Sequence, residues 1–138
     1  QRHDRERMSR LLLDTNVLLW TSYSPSELTS TAWEAIESAN DLCFSLVSFW
    51  EIAIKFSRSG FRDLRVREDW HETLFEELQR HGFRKITLEV SHCSRVQALP
   101  YHHKDPFDRL LISQAIEERC SLVTSDVRFD DYDVKRIW

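Results

Sequence analysis

The chain has 138 residues, 41% of them hydrophobic and 30% charged, with 23 acids against 19 lysines and arginines for a formal net charge of −4. That size and balance suit one domain around one core, and no apolar run approaches the roughly 20 residues that span a bilayer, so no membrane partner is expected. Only two glycines are present, Gly60 and Gly82, which excludes Gly-rich dinucleotide and P-loop sites. The three cysteines, Cys43, Cys93 and Cys120, show no Cys-x-x-Cys spacing; they argue against a disulfide framework or a structural zinc site and predict a reducing, cytoplasmic setting. An acidic chain is also a poor default for a nucleic-acid binder.

In chain order, residues 1–7 read as a tag remnant or upstream leader, residues 1–8 as a tail, and residues 9–138 as one domain. Residues 10–13 form a short apolar strand, followed by a brief helix near 15–20. The stretch Ser24-Pro25-Ser26-Glu27 has the marks of a helix start, with Ser24 as N-cap, Pro25 at the first position and Glu27 closing a capping box; that helix is expected to run to about Ala39. A second strand spans 42–45, and a helix runs from about Val47 to Arg58, ending near Gly60. Asp69 is placed as cap of a helix over 70–80 that Gly82 ends. A third strand at 84–87 and a helix over 89–98 follow. Asp105 and Pro106 open a helix to about Arg119, then come strands at 121–124 and 134–137. Strands alternating with helices predict an α/β fold with a short, mostly parallel sheet.

Four acids stand where the local pattern expects something apolar or neutral. Asp14 interrupts the apolar run LLLDTNVLLW, and Asp126 ends LVTSD. Both lie at carboxyl ends of strands, where open parallel sheets bind ligands. Asp14 also reads simply as the cap of the next helix. Glu51 lies on a helix that is apolar nearly all round, with an ion pair to Lys55 as the plain alternative. Asp108 shares a helical face with Leu111, Ile112 and Ala115; favourable interaction with the helix N-terminus is its plain alternative, weakened because Asp105 already takes the cap. Four converging carboxylates repel unless a cation neutralises them, and hard oxygen donors favour Mg²⁺ or Mn²⁺ over zinc. Such a centre suits hydrolysis of phosphodiesters, and a pair of divalent ions would offset the net charge.

Together, LLLDTNVLLW, SFWEIAIK, HHKDPFDRLLISQA and LVTSDVRFDDY, with VKRIW at the end, resemble the PIN domain, and more narrowly the VapC-type toxins of bacterial toxin–antitoxin pairs. The resemblance implies a three-layer α/β/α sandwich. It implies an endoribonuclease that uses Mg²⁺ or Mn²⁺, one or two ions per site, on tRNA or ribosomal RNA. By motif position Asp14, Glu51, Asp108 and Asp126 become the catalytic and metal-binding quartet, with Asn16 supporting the first acid and Thr124 beside the last. It also implies a homodimer and a VapB-type antitoxin whose C-terminal segment fills the groove.

Outside these motifs, Arg58, Arg62, Arg65 and Arg67 cluster between two helices as candidate RNA-backbone contacts, and Arg109 is a candidate for phosphate or for a site acid. His102 and His103 read as residues that position the loop before the Asp108 helix, not as ligands. Most of the five tryptophans, Trp20 and Trp50 included, are assigned to the core. A catalytically silent PIN-like module that binds RNA or protein is the rival reading. A phosphoaspartate receiver domain is disfavoured, because Asp14-Thr15-Asn16 lacks two adjacent acids.

Overall fold

A computed structural model of the chain describes residues 10–57 and 68–138. Five strands, β1 (Arg10–Leu13), β2 (Asp41–Ser45), β3 (Arg84–Ile86), β4 (Ser121–Val123) and β5 (Arg136–Ile137), form one sheet in the order β3-β2-β1-β4-β5. Every pairing is parallel. Six α-helices accompany them among the described residues: α1 (Thr15–Tyr23), α2 (Ser30–Ser38), α3 (Leu46–Ser57), α4 (Trp70–Arg80), α5 (Val90–Ala98) and α6 (Pro106–Glu118).

The central strand explains the layering. Successive side chains of a strand point to opposite faces. Leu11 and Leu13 join Val17, Leu18, Ala32, Ile52 and Leu74 on one face, which α1 to α4 cover. Leu12 joins Leu111, Ile112, Ala115 and Leu122 on the other, beneath α6, with α5 packed on α6. Both faces of β1 are therefore dry, which is why its sequence reads as an unbroken leucine run. Chain order reverses between β1 and its neighbours: β2 lies on one side and β4 on the other. The crevice above the carboxyl ends of β1 and β4 is thus the ligand-binding position of this topology.

Local expectations hold where cap and packing agree. Asp105 caps α6 by accepting from the N–H groups of Phe107 and Asp108 at 2.8 and 3.1 Å. Gly82, at φ +78°, closes α4, with the Phe83 N–H on Leu78 O at 3.0 Å. The helix expected over 24–39 is divided. Pro25–Glu27 makes only a 3₁₀ turn, Ser24 makes no side-chain cap bond, and Leu28 is extended. Thr29 is the effective cap of α2, accepting from Ala32 N at 3.0 Å. The break lets Leu28 and Ile36 pack on the same core, and that burial outweighs three more residues of continuous helix. Asp69 opens α4 through its carbonyl, which accepts from Glu72 and Thr73, and its side chain makes no cap bond. The expected end near Gly60 lies outside the described residues.

The C-cap of α6 is strained. Arg119 sits at φ 58°, ψ 44°, a left-handed conformation that costs an L-residue roughly 1 kcal/mol and glycine nearly nothing. Its side chain is exposed. Arg119→Gly is expected to raise stability by about 0.5–1 kcal/mol, read as a higher denaturation midpoint with an unchanged m-value.

Candidate active site

The four acids come from four different elements, and their charges act on one another. Asp14 follows β1. Its carboxylate accepts from Val17 N at 2.8 Å and so caps α1, as the plain alternative requires. It is also buried, 8% exposed, and burial pushes its pKa up to about 6. The Thr124 hydroxyl and the Val17 N–H pull the other way, and the charges of Glu51 and Asp126 push further up. A capping carboxylate normally has a low pKa, so the cap does not meet the whole charge of Asp14.

Glu51 is 3% exposed on the inner face of α3. Its Oε2 lies 2.7 Å from Lys55 Nζ, the i,i+4 pair. Its Oε1 accepts from the Thr15 hydroxyl at 2.6 Å. That hydroxyl has one proton and spends it on the carboxylate, so Ser48, 2.9 Å away, is the donor in the Thr15–Ser48 bond. Glu51 therefore pairs with Lys55, as the plain alternative has it, and its charge also acts on Asp14 and Asp108.

Asp108 lies in the first turn of α6. Burial, then the charges of Asp105, Glu51, Asp14 and Asp126, push its pKa up to about 7. Asp126 follows β4. Its N–H donates to Thr124 Oγ1 at 3.1 Å, and its carboxylate holds Arg128 at 2.8 and 3.0 Å. The arginine keeps the Asp126 pKa below the usual carboxylate range. Thr124, fully buried, therefore ties the first acid to the last.

The tightest grouping of potential ligands among the described residues is Asp108, Asp126 and His103, with one donor atom from each lying within 4.8 Å of the others. Asp14 and Glu51 stand outside that group and act on it through their charge. Asn16, expected to support Asp14, is exposed; beside it the Thr15 hydroxyl bonds Glu51 and the Val17 N–H bonds Asp14. The sequence shows His103 only as a loop residue. It does serve the loop, since its Nδ1 accepts from Asp105 N at 3.2 Å, but it also reaches the acids. Arg128, two residues after Asp126, was missed, because an exposed arginine in a 3₁₀ turn leaves no periodic signal.

Two expectations are corrected. Arg109 does not face the cleft. It is 7% exposed, its guanidinium donates to Pro100 O at 3.0 Å, Val96 O at 3.1 Å and the Tyr132 hydroxyl at 3.3 Å, and it stacks on Tyr101 at 4.6 Å. These bonds leave no fork for phosphate. Arg109→Ala is expected to cost about 3 kcal/mol or more, since it strips a charged donor from buried acceptors; an RNA-contact role would instead leave thermal stability unchanged. Trp50 is not core. It is 57% exposed, because it sits on the outer side of the turn that buries Glu51, edge-on to Phe107 at 4.9 Å. Trp20 does pack on the core, with Trp138 at 5.8 Å. Arg58, Arg62, Arg65 and Arg67 lie outside the described residues.

Comparison with known proteins gives a consistent picture. The PIN domain family matches residues 11–135. Ribonuclease VapC22 of Mycobacterium tuberculosis is 34% identical over 122 residues, 88% of this chain and 90% of that protein. Among solved structures, VapBC2 from Rickettsia felis, bound to a promoter DNA fragment, superposes with a TM-score of 0.61 at 16% identity, over 91% of this chain and 96% of that one. VapBC-1 from nontypeable Haemophilus influenzae gives 0.58 at 16% identity, over 91% and 95%. At such identities these two speak for the fold alone.

Proposed function

This chain belongs to the PIN domain family, and on that premise we propose that it is a VapC-type endoribonuclease, a Mg²⁺- or Mn²⁺-dependent hydrolase of RNA phosphodiester bonds and the toxin of a toxin–antitoxin pair. The observation that supports the reading is the electrostatic coupling of Asp14, Glu51, Asp108 and Asp126, with two of the four pushed toward neutral pH. Among the described residues, the lysine and arginine paired with these acids are Lys55, on Glu51, and Arg128, on Asp126. The donors are mostly carboxylate oxygens, which suit a hard divalent cation. One or two such ions would be held by the four acids.

When bound, the cation supplies charge for the leaving and attacking oxygens and makes water a better nucleophile at neutral pH. The chain's own residues set the frame. Val17 N–H and Thr124 orient Asp14, Thr15 and Lys55 orient Glu51, and Asp105 fixes the start of the helix that carries Asp108. Arg128 lies exposed at the mouth and is a natural contact for phosphate once Asp126 turns to a cation. The ribonuclease name of the VapC22 relative supports RNA as the substrate class, and the VapBC complexes among the structural neighbours support an antitoxin partner; tRNA or ribosomal RNA as the target and a homodimer as the assembly complete the proposal.

The test is cleavage of total tRNA and ribosomal RNA by the purified protein in Mg²⁺, Mn²⁺ or EDTA. Metal-dependent cuts are expected. The rival reading, a catalytically silent RNA- or protein-binding module, draws on the ion pairs of Glu51 and Asp126, which neutralise two acids without any metal; binding without cleavage in every condition would favour it.

A further inference from the structure

His103 is buried, 4% exposed, and its backbone and one side of its ring are held. Its own N–H and that of His102 donate to the Tyr132 hydroxyl at 2.7 and 3.1 Å, and its ring meets Phe129 at 5.9 Å. Nδ1 accepts the Asp105 N–H. A nitrogen that accepts a hydrogen bond carries no proton, so the ring proton belongs to Nε2. That nitrogen points into the acids, 3.0 Å from Asp108 Oδ2 and 3.7 Å from Asp126 Oδ2. Yet it is off the hydrogen-bonding line of both, a buried polar atom with no aligned partner among the described residues. A buried N–H left in this state costs roughly 1–3 kcal/mol, and it sits where two carboxylates must be oriented.

We propose that His103 is a positioning residue of the cation centre, whose Nε2–H, short of a bond here, takes up Asp108 Oδ2 once a cation draws the acids together, leaving Asp108 Oδ1 to the cation, while Arg128 holds both oxygens of Asp126 until the cation competes for them. The proposal rests on the cation-dependent reading above. It differs from direct ligation by His103. Ligation through Nε2 would move the ring proton to Nδ1, where it would face the Asp105 N–H, donor against donor, and the Asp105 amide would lose its acceptor. The histidine here inverts the common arrangement in which a carboxylate orients a metal-bound imidazole: the imidazole orients the carboxylate.

Removing such an outer partner typically weakens metal affinity by about 10–100-fold. The experiment is a Mn²⁺ titration of the full chain, followed by the paramagnetic resonance of free Mn²⁺, with thermal melting in EDTA alongside. His103→Phe is expected to weaken Mn²⁺ binding by about 10-fold or more. His103→Gln, which keeps a donor and an acceptor, is expected to recover most of it at a similar melting temperature. Pulsed resonance on the Mn²⁺-loaded wild type needs no variant, and should show no nitrogen coupling of directly bound imidazole. Such a coupling, or equal Mn²⁺ affinity in wild type and a folded His103→Phe, overturns the proposal. A wild type that binds no Mn²⁺ overturns the cation reading beneath it, which separates the two failures.

Discussion

Asp14→Asn is expected to cripple RNA cleavage and to make the metal-free protein more stable. The two effects share one cause. Folding raises the Asp14 pKa from 3.8 to about 6, so at pH 8 the ionised carboxylate is held at a cost of roughly 3 kcal/mol relative to the unfolded chain. Asparagine removes the charge and keeps an oxygen for the Val17 N–H, and it caps helices as well as aspartate does. Rate should fall on the order of 10³-fold, the scale set by loss of one preorganised charged group, while the melting temperature in EDTA rises by several degrees. Cleavage assays and calorimetry on the same preparation check both halves. Full activity in the variant would remove Asp14 from the site; lost activity with lower stability would reduce it to a cap.

The pH dependence of stability supplies the second large effect. Asp14 and Asp108 titrate near 6 and 7 in the folded protein and near 3.8 when unfolded. Between about pH 4 and 7 the native state therefore binds more protons than the unfolded state, and its stability falls as pH rises through that window. Asp126, with its lowered pKa, contributes in the opposite sense, but below that window. The metal-free protein is expected to melt higher at pH 5.5 than at pH 8, by a few kcal/mol in free energy. A divalent cation binds only the ionised acids, so Mn²⁺ should raise the melting temperature strongly at pH 8 and little at pH 5.5. The Asp14→Asn/Asp108→Asn double variant should flatten both responses. A flat or rising profile in EDTA for the wild type would contradict the burial argument for both acids.

The parts of this molecule that were legible in its sequence are those governed by neighbours along the chain. The leucines of β1, the Asp105-Pro106 start of α6 and the Gly82 stop of α4 each depend on contacts within a few residues. So did the suspicion about Asp14, Glu51, Asp108 and Asp126, since an acid in an apolar stripe is visible without a fold. What escaped depended on partners far away. The sequence leaves Arg109 between phosphate and a site acid, because nothing local says that Tyr132, 23 residues on, claims its guanidinium. His103 carried no periodic signal, and its meaning comes from Asp126 and Tyr132. Trp50 was placed in the core because α3 is apolar nearly all round, and such a helix does not announce which side it leaves in water. The division of residues 24–39 turned on where Leu28 packs, a tertiary fact that outranked a well-formed capping signal.

The Tyr132 hydroxyl gives the site an internal reporter. It takes the amide protons of two consecutive loop residues, His102 and His103, a task usually left to backbone carbonyls. Those amides can exchange with deuterium only when the phenol lets go, so their exchange rates measure how often the loop carrying His103 parts from the turn carrying Asp126. In Tyr132→Phe both amides should exchange fast while the β1 amides stay slow. The opening of this cleft would then be timed without substrate or metal.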